Sequence, residues 1–305
     1  MKLITIGIPS FNRPEAAKDT LMNLLQSQIL SSNSILLANN GSTAEYQMTD
    51  LQKNYRQRFR YLKFEENLGY GLNIIRLIEK CETKYLLFLS DEDDLTESGF
   101  NNLSSLLTAK NPTLIILRNK RNKLKSLYKI NQNSVKGASS YLSGIIVNVE
   151  ILRIHIDLLK HLVQTEEFAA LYPQVVISTL LNSIKSGYIM RKPIIIKRVE
   201  LPTTVTSKNG TPYWYPTERV LQHLSFQRCI LELYKNTDSE TKKQLTKLSK
   251  TLDSNFFGLI CDAISSVSPD LRPIFVRSSF KTIINFYFKL SKKEIKRFLL
   301  KIRRN

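Results

Sequence analysis

Four times in its first 94 residues the chain runs through a short apolar stretch and stops abruptly in a cluster of small, amide or acidic residues. Leu3 to Ile8 leads into Pro9, Ser10, Asn12 and Arg13, and Ile35 to Ala38 into Asn39-Asn40-Gly41-Ser42. Phe59 to Phe64 leads into Glu65, Glu66 and Asn67, and Tyr85 to Leu89 into Asp91-Glu92-Asp93-Asp94. Short runs rich in β-branched and aromatic residues with such endings read as strands. Between them lie helical patterns: Ala17, Leu21, Leu24 and Leu25 behind an N-cap offered by Asn12 and Pro14, a polar stretch from about Thr43, and Tyr70 to Ile78. Strand and helix in alternation need crossover connections, so the fold class is α/β, a parallel sheet covered by helices.

Leu114 to Leu117 reads as a fifth strand, and Ile145 to Val149 and Ile189 to Ile196 as further strands around a helical stretch. Pro202 to Pro216 is a loop rich in Thr, Tyr and Pro, and from about Glu218 the pattern is helical. The expected organisation is a domain over 1–200 and a helical carboxyl-terminal region over 201–305. With 42% hydrophobic residues, the chain can fill a core of that size.

Ligands of open α/β sheets bind beyond the carboxyl ends of the strands, so the clusters after each strand carry the functional reading. The sharpest is Asp91-Glu92-Asp93-Asp94. Four carboxylates brought to one point repel one another unless a cation sits there. Oxygen ligands suit Mg²⁺ or Mn²⁺, with a diphosphate and water completing the shell, which makes Asp91, Asp93 and Asp94 candidate metal ligands. Helix N-capping would explain one carboxylate and leave three unexplained. The loop Pro9-Ser10-Phe11-Asn12-Arg13 can present N–H groups and side-chain donors to a base, ribose or phosphate, or be an ordinary capping loop. Asn39-Asn40-Gly41-Ser42 alone is a turn. Asn67-Leu68-Gly69-Tyr70-Gly71-Leu72-Asn73 lacks the third glycine of a dinucleotide fingerprint, and both a structural turn and a nucleotide contact are open.

The formal net charge of +19 calls for an anionic partner: nucleic acid, an acidic membrane surface or a phosphorylated substrate. Arg118, Lys120, Arg121, Lys123, Lys125 and Lys129 form one basic loop without an acid among them. Near the end, Ile295, Phe298, Leu299 and Ile302 share a helical face amid Lys292, Lys293, Lys296, Lys301, Arg303 and Arg304. Such a basic amphipathic tail can lie in an anionic interface or pack on the domain. Charge confined to a loop and a tail, without interleaved aromatics, argues against nucleic acid. Three scattered cysteines fit neither a disulfide framework nor a zinc site. The amino terminus is too short in apolar residues for a signal peptide and no stretch is long enough to span a membrane, so a cytoplasmic protein is expected, in solution or lying on the inner face of the membrane.

Taken in order, Ile8-Pro9-Ser10-Phe11-Asn12-Arg13, Asn39-Asn40-Gly41-Ser42, Asn67-Leu68-Gly69-Tyr70-Gly71-Leu72-Asn73 and Ser90-Asp91-Glu92-Asp93-Asp94 resemble the family-two glycosyltransferases of bacterial polysaccharide synthesis, closest to the abequosyltransferase-like branch. The resemblance implies a nucleotide-diphospho-sugar transferase fold of GT-A type, with a mixed, mainly parallel sheet and helices on both faces. It also implies a divalent metal, an inverting transfer from a nucleotide-diphospho-sugar donor, and a glycan or lipid-linked glycan acceptor. Carried over, Pro9, Ser10 and Asn12 would line the nucleotide pocket beside Arg13. Asn39 would stand where an acid commonly contacts the base or ribose, and Asn67, Gly69 and Asn73 would approach the nucleotide. Asp91, flanked by Glu92, would hold ribose or metal, and Asp93 the metal bridging the diphosphate.

Two departures stand out. Asn39 replaces the usual acid, and the Glu-Asp pair that commonly supplies the catalytic base is missing, since the segment before Gly187 reads Leu171-Tyr172-Pro173-Gln174-Val175-Val176. The nearest acids, Glu166 and Glu167, are therefore the candidate catalytic bases, against the plain alternative of a solvated helix face. A sugar-phosphate nucleotidyltransferase would share sheet and metal but lacks its Gly-rich phosphate loop here. A non-catalytic scaffold of the same fold is the other alternative.

Overall fold

The computed structural model describes residues 2–28, 30–96, 100, 103–118, 127–191, 195–197 and 216–249. The strands are β1 (Ile4–Ser10), β2 (Ser34–Asn39), β3 (Phe59–Lys63), β4 (Tyr85–Phe88), β5 (Asp93–Leu95), β6 (Leu114–Arg118), β7 (Leu127–Lys129), β8 (Ile145–Asn148), β9 (Tyr188–Arg191) and β10 (Ile195–Lys197). Eight of them form one sheet in the order β3-β2-β1-β4-β8-β6-β9-β7, while β5 and β10 make a separate antiparallel pair. β3, β2, β1 and β4 are mutually parallel. β8 runs antiparallel to both its neighbours, which returns β6 and β9 to the direction of β1. The sheet is thus mixed and mainly parallel.

Burial explains why β1 is central. Ile4, Ile6 and Ile8 are fully buried on one face against Ala17, Leu21, Leu24 and Leu25 of α1 (Pro14–Gln26) and Leu103 and Leu107 of α4 (Leu103–Lys110). On the other face Gly7 lies under Leu77 of α3 (Tyr70–Lys80). Helices cover both faces, and a near-continuous apolar strand is the sequence such a position selects. Between α1 and α3 the polar stretch after Thr43 is loop as far as a short α2 (Thr49–Asn54). Ser42, Thr43 and Ala44 are drawn into contacts with the first loop instead of starting a helix.

Downstream, α5 (Val135–Ala138), α6 (Val149–Ile154), α7 (Ile156–Thr165), α8 (Glu167–Leu171) and α9 (Pro173–Ile184) surround β8 in sequence. The single strand expected over Ile189 to Ile196 is two, β9 in the main sheet and β10 in the small pair. The basic stretch expected as a loop from Arg118 to Lys129 ends in strand β7, with 119–126 outside the described residues. Compactness divides the chain into one unit of 1–201 with 229–248 and a second of 202–228 with 249–305. Helix α10 (Pro216–Lys235) carries residues of both. The loop to Tyr215 and everything from 250 on, including the basic amphipathic tail, lie outside the described residues. No helix among the described residues is long and apolar enough to cross a membrane.

Gly71 fixes how α8 meets α3. A Cβ there would fall 2.6 Å from Val163 Cγ1 and 2.9 Å from the Ala170 carbonyl oxygen, so the helices touch where a side chain is absent. Gly71→Ala should therefore lower stability by about 1–3 kcal/mol, the usual cost of overpacking. Gly137→Ala is the control, because nothing lies within 4 Å of its added methyl. Equal urea midpoints for the two variants would show that the notch is not tight.

Candidate active site

Leaving β1, the chain crosses outward to β2 and β3 and then returns to place β4 on the other side of β1. The crevice between β1 and β4 is the topological switch point, where open sheets bind ligands at the strands' carboxyl ends. Two side chains meet across it: Ser10 Oγ, ending β1, donates to Asp91 Oδ2, just past β4, at 2.6 Å. Both residues are buried, at 4% exposure each.

A network surrounds this bond. Ser10 Oγ is 2.7 Å from the Tyr46 hydroxyl, which also accepts from the Arg13 backbone N–H at 3.0 Å. Arg13 Nη1 reaches Glu92 Oε2 at 3.0 Å and Asp91 Oδ1 at 3.4 Å. From α1, Thr20 Oγ1 donates to the Asp91 carbonyl at 2.9 Å. Burial pushes the Asp91 carboxyl above the ordinary aspartate range; the Ser10 hydrogen bond and Arg13 pull it back, and Glu92 adds to the rise.

The second loop is tied to the first. Asn12, expected as a helix cap, instead has a backbone in the left-handed region (φ 55°), and its carboxamide oxygen accepts from the Thr43 and Ala44 N–H groups. Helix α1 starts without a side-chain cap, because the amide is spent across the loops. Asn39 Oδ1 accepts from the Ser42 N–H at 2.9 Å and its Nδ2 donates to the Tyr61 hydroxyl at 2.9 Å. Tyr61 stacks on Tyr46 with centroids 6.2 Å apart. Asn40 Nδ2 donates to Asn67 Oδ1 (2.7 Å) and to the Gly69 carbonyl (3.1 Å). Asn73 Nδ2 donates to the Ala38 carbonyl, so the asparagines in the α3 entry brace the end of β2. Gly41 adopts φ 70°, and a Cβ there would come 2.2 Å from the Glu66 carbonyl carbon; the turn presses on the loop after β3. The buried Oδ1 atoms of Asn40 and Asn73 have no hydrogen-bond partner.

The acidic run does not form the three-carboxylate cluster expected of it. Residues 91–92 turn and residues 93–95 form β5, paired with β10, so successive side chains point to opposite sides. Asp94 accepts from Asn23 Nδ2 on α1 at 3.1 Å. Asp93 is 1% exposed and its Oδ2 accepts from the Tyr141 hydroxyl at 2.5 Å and from the Ser143 hydroxyl. Among the described residues no three acidic, histidine or cysteine side chains are grouped to hold a metal. Yet Asp93 Oδ1 is buried without a hydrogen-bond partner. Such an oxygen suits a hard cation bound through one protein carboxylate and substrate phosphates, the usual habit of Mg²⁺. The residues fit a cation at Asp93, and Asp94 is turned away from it. The Tyr141 phenol is pushed upward by burial, then by its bond to Asp93 and the charges of Asp93 and Glu92, which keeps it a donor.

Glu166 is the flanking residue of α8 and Glu167 lies in its first turn, without a side-chain capping bond. Helix α8 packs on α3 through the Gly71 notch. At the start of α3, Tyr70 has its phenol pushed upward by burial and by the nearby Asp91 charge. Where the Glu-Asp pair is missing, Gln174 is buried, and its Nε2 donates to the Ser140 carbonyl at 3.3 Å. Tyr46, Thr20, Tyr141 and Ser143 are members of this site that the motifs passed over, and Asn40 lay inside one motif without a role given to it. Tyr141 and Ser143 precede β8, and because β8 is antiparallel its beginning, not its end, lies at the ligand edge.

With this geometry in view, comparison with known proteins is informative. Residues 5–134, from β1 through β7, match the family described as Glycosyl transferase family 2. A stretch of 116 residues is 27% identical to Teichoic acid poly(glycerol phosphate) polymerase of Staphylococcus epidermidis, covering 35% of this chain and only 16% of that protein. S. aureus TarS 1–349 in complex with UDP-GlcNAc has a TM-score of 0.59 at 14% identity, over 93% of this chain and 89% of that one. Mannosyltransferase PcManGT from Pyrobaculum calidifontis, in complex with GDP-Man and Mn²⁺, has a TM-score of 0.52 at 8% identity, over 98% and 79%. These likenesses give the fold, a mixed, mainly parallel sheet of GT-A type, and the sequence match supports the family-two resemblance.

Asp91 also makes a prediction about pH. Because its folded pKa is raised, the folded protein holds this proton more tightly than the unfolded chain. The stabilisation is fully present below the ordinary aspartate pKa of about 3.9 and is lost as pH rises through the folded value. Asp91→Asn removes that loss. Relative to wild type, the variant should gain stability as pH rises above about 4 and through the raised folded value, read by urea denaturation at each pH. A stability difference that does not vary with pH would mean that Asp91 carries no raised pKa.

Proposed function

We propose that this chain is an inverting glycosyltransferase that moves a sugar from a nucleotide-diphospho-sugar to a hydroxyl of a glycan or lipid-linked glycan acceptor in surface-polymer synthesis. The observation that carries the reading is the convergence at one switch point of the loops after β1, β2 and β4, with those after β1 and β4 joined through Ser10 and Asp91. The family match over residues 5–134 covers all three. Within the family, the order of the motifs favours the abequosyltransferase-like branch.

In this reading Pro9, Ser10, Asn12 and Arg13 with Asn39 line the nucleotide pocket, and Asn67, Gly69 and Asn73 close it from the α3 side. Asn39 already uses both ends of its amide on Ser42 and Tyr61, so it presents the loop backbone more than a free side chain to the base. Asp91 orients the ribose or phosphates through the network it shares with Arg13. A divalent cation, Mn²⁺ or Mg²⁺, held by Asp93 would neutralise charge that grows on the departing diphosphate. Tyr141 and Ser143 fix the Asp93 carboxylate and leave Oδ1 for that role. Inversion needs one base to take the acceptor hydroxyl proton as that oxygen attacks the anomeric carbon. Glu167 or Glu166, at the start of α8, is proposed for it; Gln174 cannot serve, since an amide does not take up a proton near neutral pH. The carboxyl-terminal segment is proposed to rest on an anionic membrane surface where a lipid-linked acceptor lies.

Two tests separate the parts of this reading. Asp93→Asn should lower transfer by about two orders of magnitude or more, with the fold intact by circular dichroism, as loss of an electrostatic stabiliser of the leaving group does. Turnover close to wild type would remove Asp93 from the chemistry. Glu167→Gln or Glu166→Gln should slow transfer by about two to four orders of magnitude, while the rise in Tm produced by a bound nucleotide sugar is retained. If both single variants and the double variant turn over normally, the base lies elsewhere. Release of nucleoside diphosphate in these assays, against formation of nucleoside triphosphate with pyrophosphate, separates transfer from nucleotidyl exchange.

A further inference from the structure

At the far side of the sheet two arginines end neighbouring parallel strands in register: Arg118 on β6 opposite Arg191 on β9. Their predecessors, Leu117 and Met190, are buried in the main core, so alternation puts both arginines on the other face, with adjacent strands about 4.8 Å apart. Like charges set side by side at that spacing repel. Among the described residues neither arginine meets a carboxylate. Arg118 donates to the Gly137 carbonyl, while Arg191 donates from Nε to the Tyr128 hydroxyl at 3.1 Å and lies 4.7 Å from that ring's centroid. These contacts hold the guanidinium groups in place without neutralising them. Lys136 stands beside Gly137, and Lys129 is exposed on β7.

This patch sits at the same sheet edge as the active site, since β6 and β9 run parallel to β1 and both arginines are the last residues of their strands. Gly137, which receives Arg118, lies only four positions before Tyr141, which holds Asp93. Four residues span at most about 14 Å, which bounds how far the chain can run from the Arg118 contact to the Asp93 contact.

We propose that Arg118 and Arg191 bind a phosphodiester of the acceptor chain, so that the acceptor is an anionic, phosphate-bearing polymer and not a neutral glycan. A planar guanidinium fork matches the geometry of phosphate oxygens, and the contacts with Gly137 and Tyr128 restrain both groups on adjacent strands. The +19 net charge gives such a chain a long-range attraction. A nucleic acid fits less well, because base stacking needs free aromatic faces and the ring beside the pair, Tyr128, is already covered by Arg191. The word acceptor rests on the transferase reading; the binding claim does not.

The test is fluorescence anisotropy of the full chain with labelled oligo(glycerol phosphate), without donor, in low and raised salt. A neutral dextran oligomer and oligothymidylate of equal length are the comparisons. Wild type should bind the polyol phosphate and not the dextran. Arg118→Gln/Arg191→Gln should bind it at least about tenfold more weakly, with a salt slope shallower by roughly 1.5 units, as two lost phosphate contacts imply. Arg118→Lys/Arg191→Lys should keep most of the slope. Unchanged binding or slope in the Gln variant overturns the proposal, as does equal binding of dextran, or an affinity for oligothymidylate that is the tighter and is lost in the same variant. A melting temperature and a donor-induced Tm rise equal to wild type show that the Gln variant is folded with its donor site intact. If wild type bound the oligomer yet no nucleotide sugar raised its Tm, the transferase reading would fall and this one would stand.

Discussion

The hydrogen bond from Ser10 to Asp91 is the constraint on which the site depends, because it spans the crevice where the chain reverses its progress across the sheet. A carboxylate buried this far is costly unless donors meet it. Ser10 and Arg13 do so from one loop, so the position of that loop is coupled to the charge state of Asp91. Tyr46 extends the coupling to the second loop and, through its stacking on Tyr61, to β3. The polar ends of three parallel strands are thereby held as one unit by a single buried charge.

Much of this was legible in the sequence, and the reasons are physical. A parallel strand buried on both faces must be apolar throughout and must shed its polar residues at its ends, so β1, β2 and β4 announced themselves with their loops, while the half-buried edge strand β3 was legible from its aromatic residues. The GT-A sheet and its covering helices follow from that alternation and from the family-two motifs. Side-chain direction was not legible. Four consecutive acids look like one cluster, but whether they converge depends on whether the backbone turns, caps a helix or extends, and here it turns and then extends into β5. Asn12 reads as a cap by type, yet its carboxamide bridges two loops.

The residues that the motifs missed share a cause. Tyr141 and Ser143 come before a strand, and a rule that looks only after strands fails wherever one runs backwards. Tyr46 sits in a loop without periodicity, and its partners are 33 and 36 residues away. The site therefore joins contributions read from local pattern, which family motifs capture, with others fixed by topology alone. Gln174 belongs to the second kind: its bond to the Ser140 carbonyl steadies the segment that carries Tyr141, a role that an ionised carboxylate could not fill, since it has no proton to donate.

The reversed strand β8 has a further consequence for how the molecule assembles. β1 must find β4 across about eighty residues, and β8 must then find β4 across about sixty and lodge between it and β6. Long-range pairings of this sort carry the loop-closure cost that slows folding. Until β8 docks, Ser10 can already meet Asp91, but Asp93 has neither Tyr141 nor Ser143 to hold it. The pairing of β8 is thus also what gives Asp93 its two hydroxyl donors, so a chain in which β8 has not docked holds the Ser10–Asp91 half of the site without the Asp93 half.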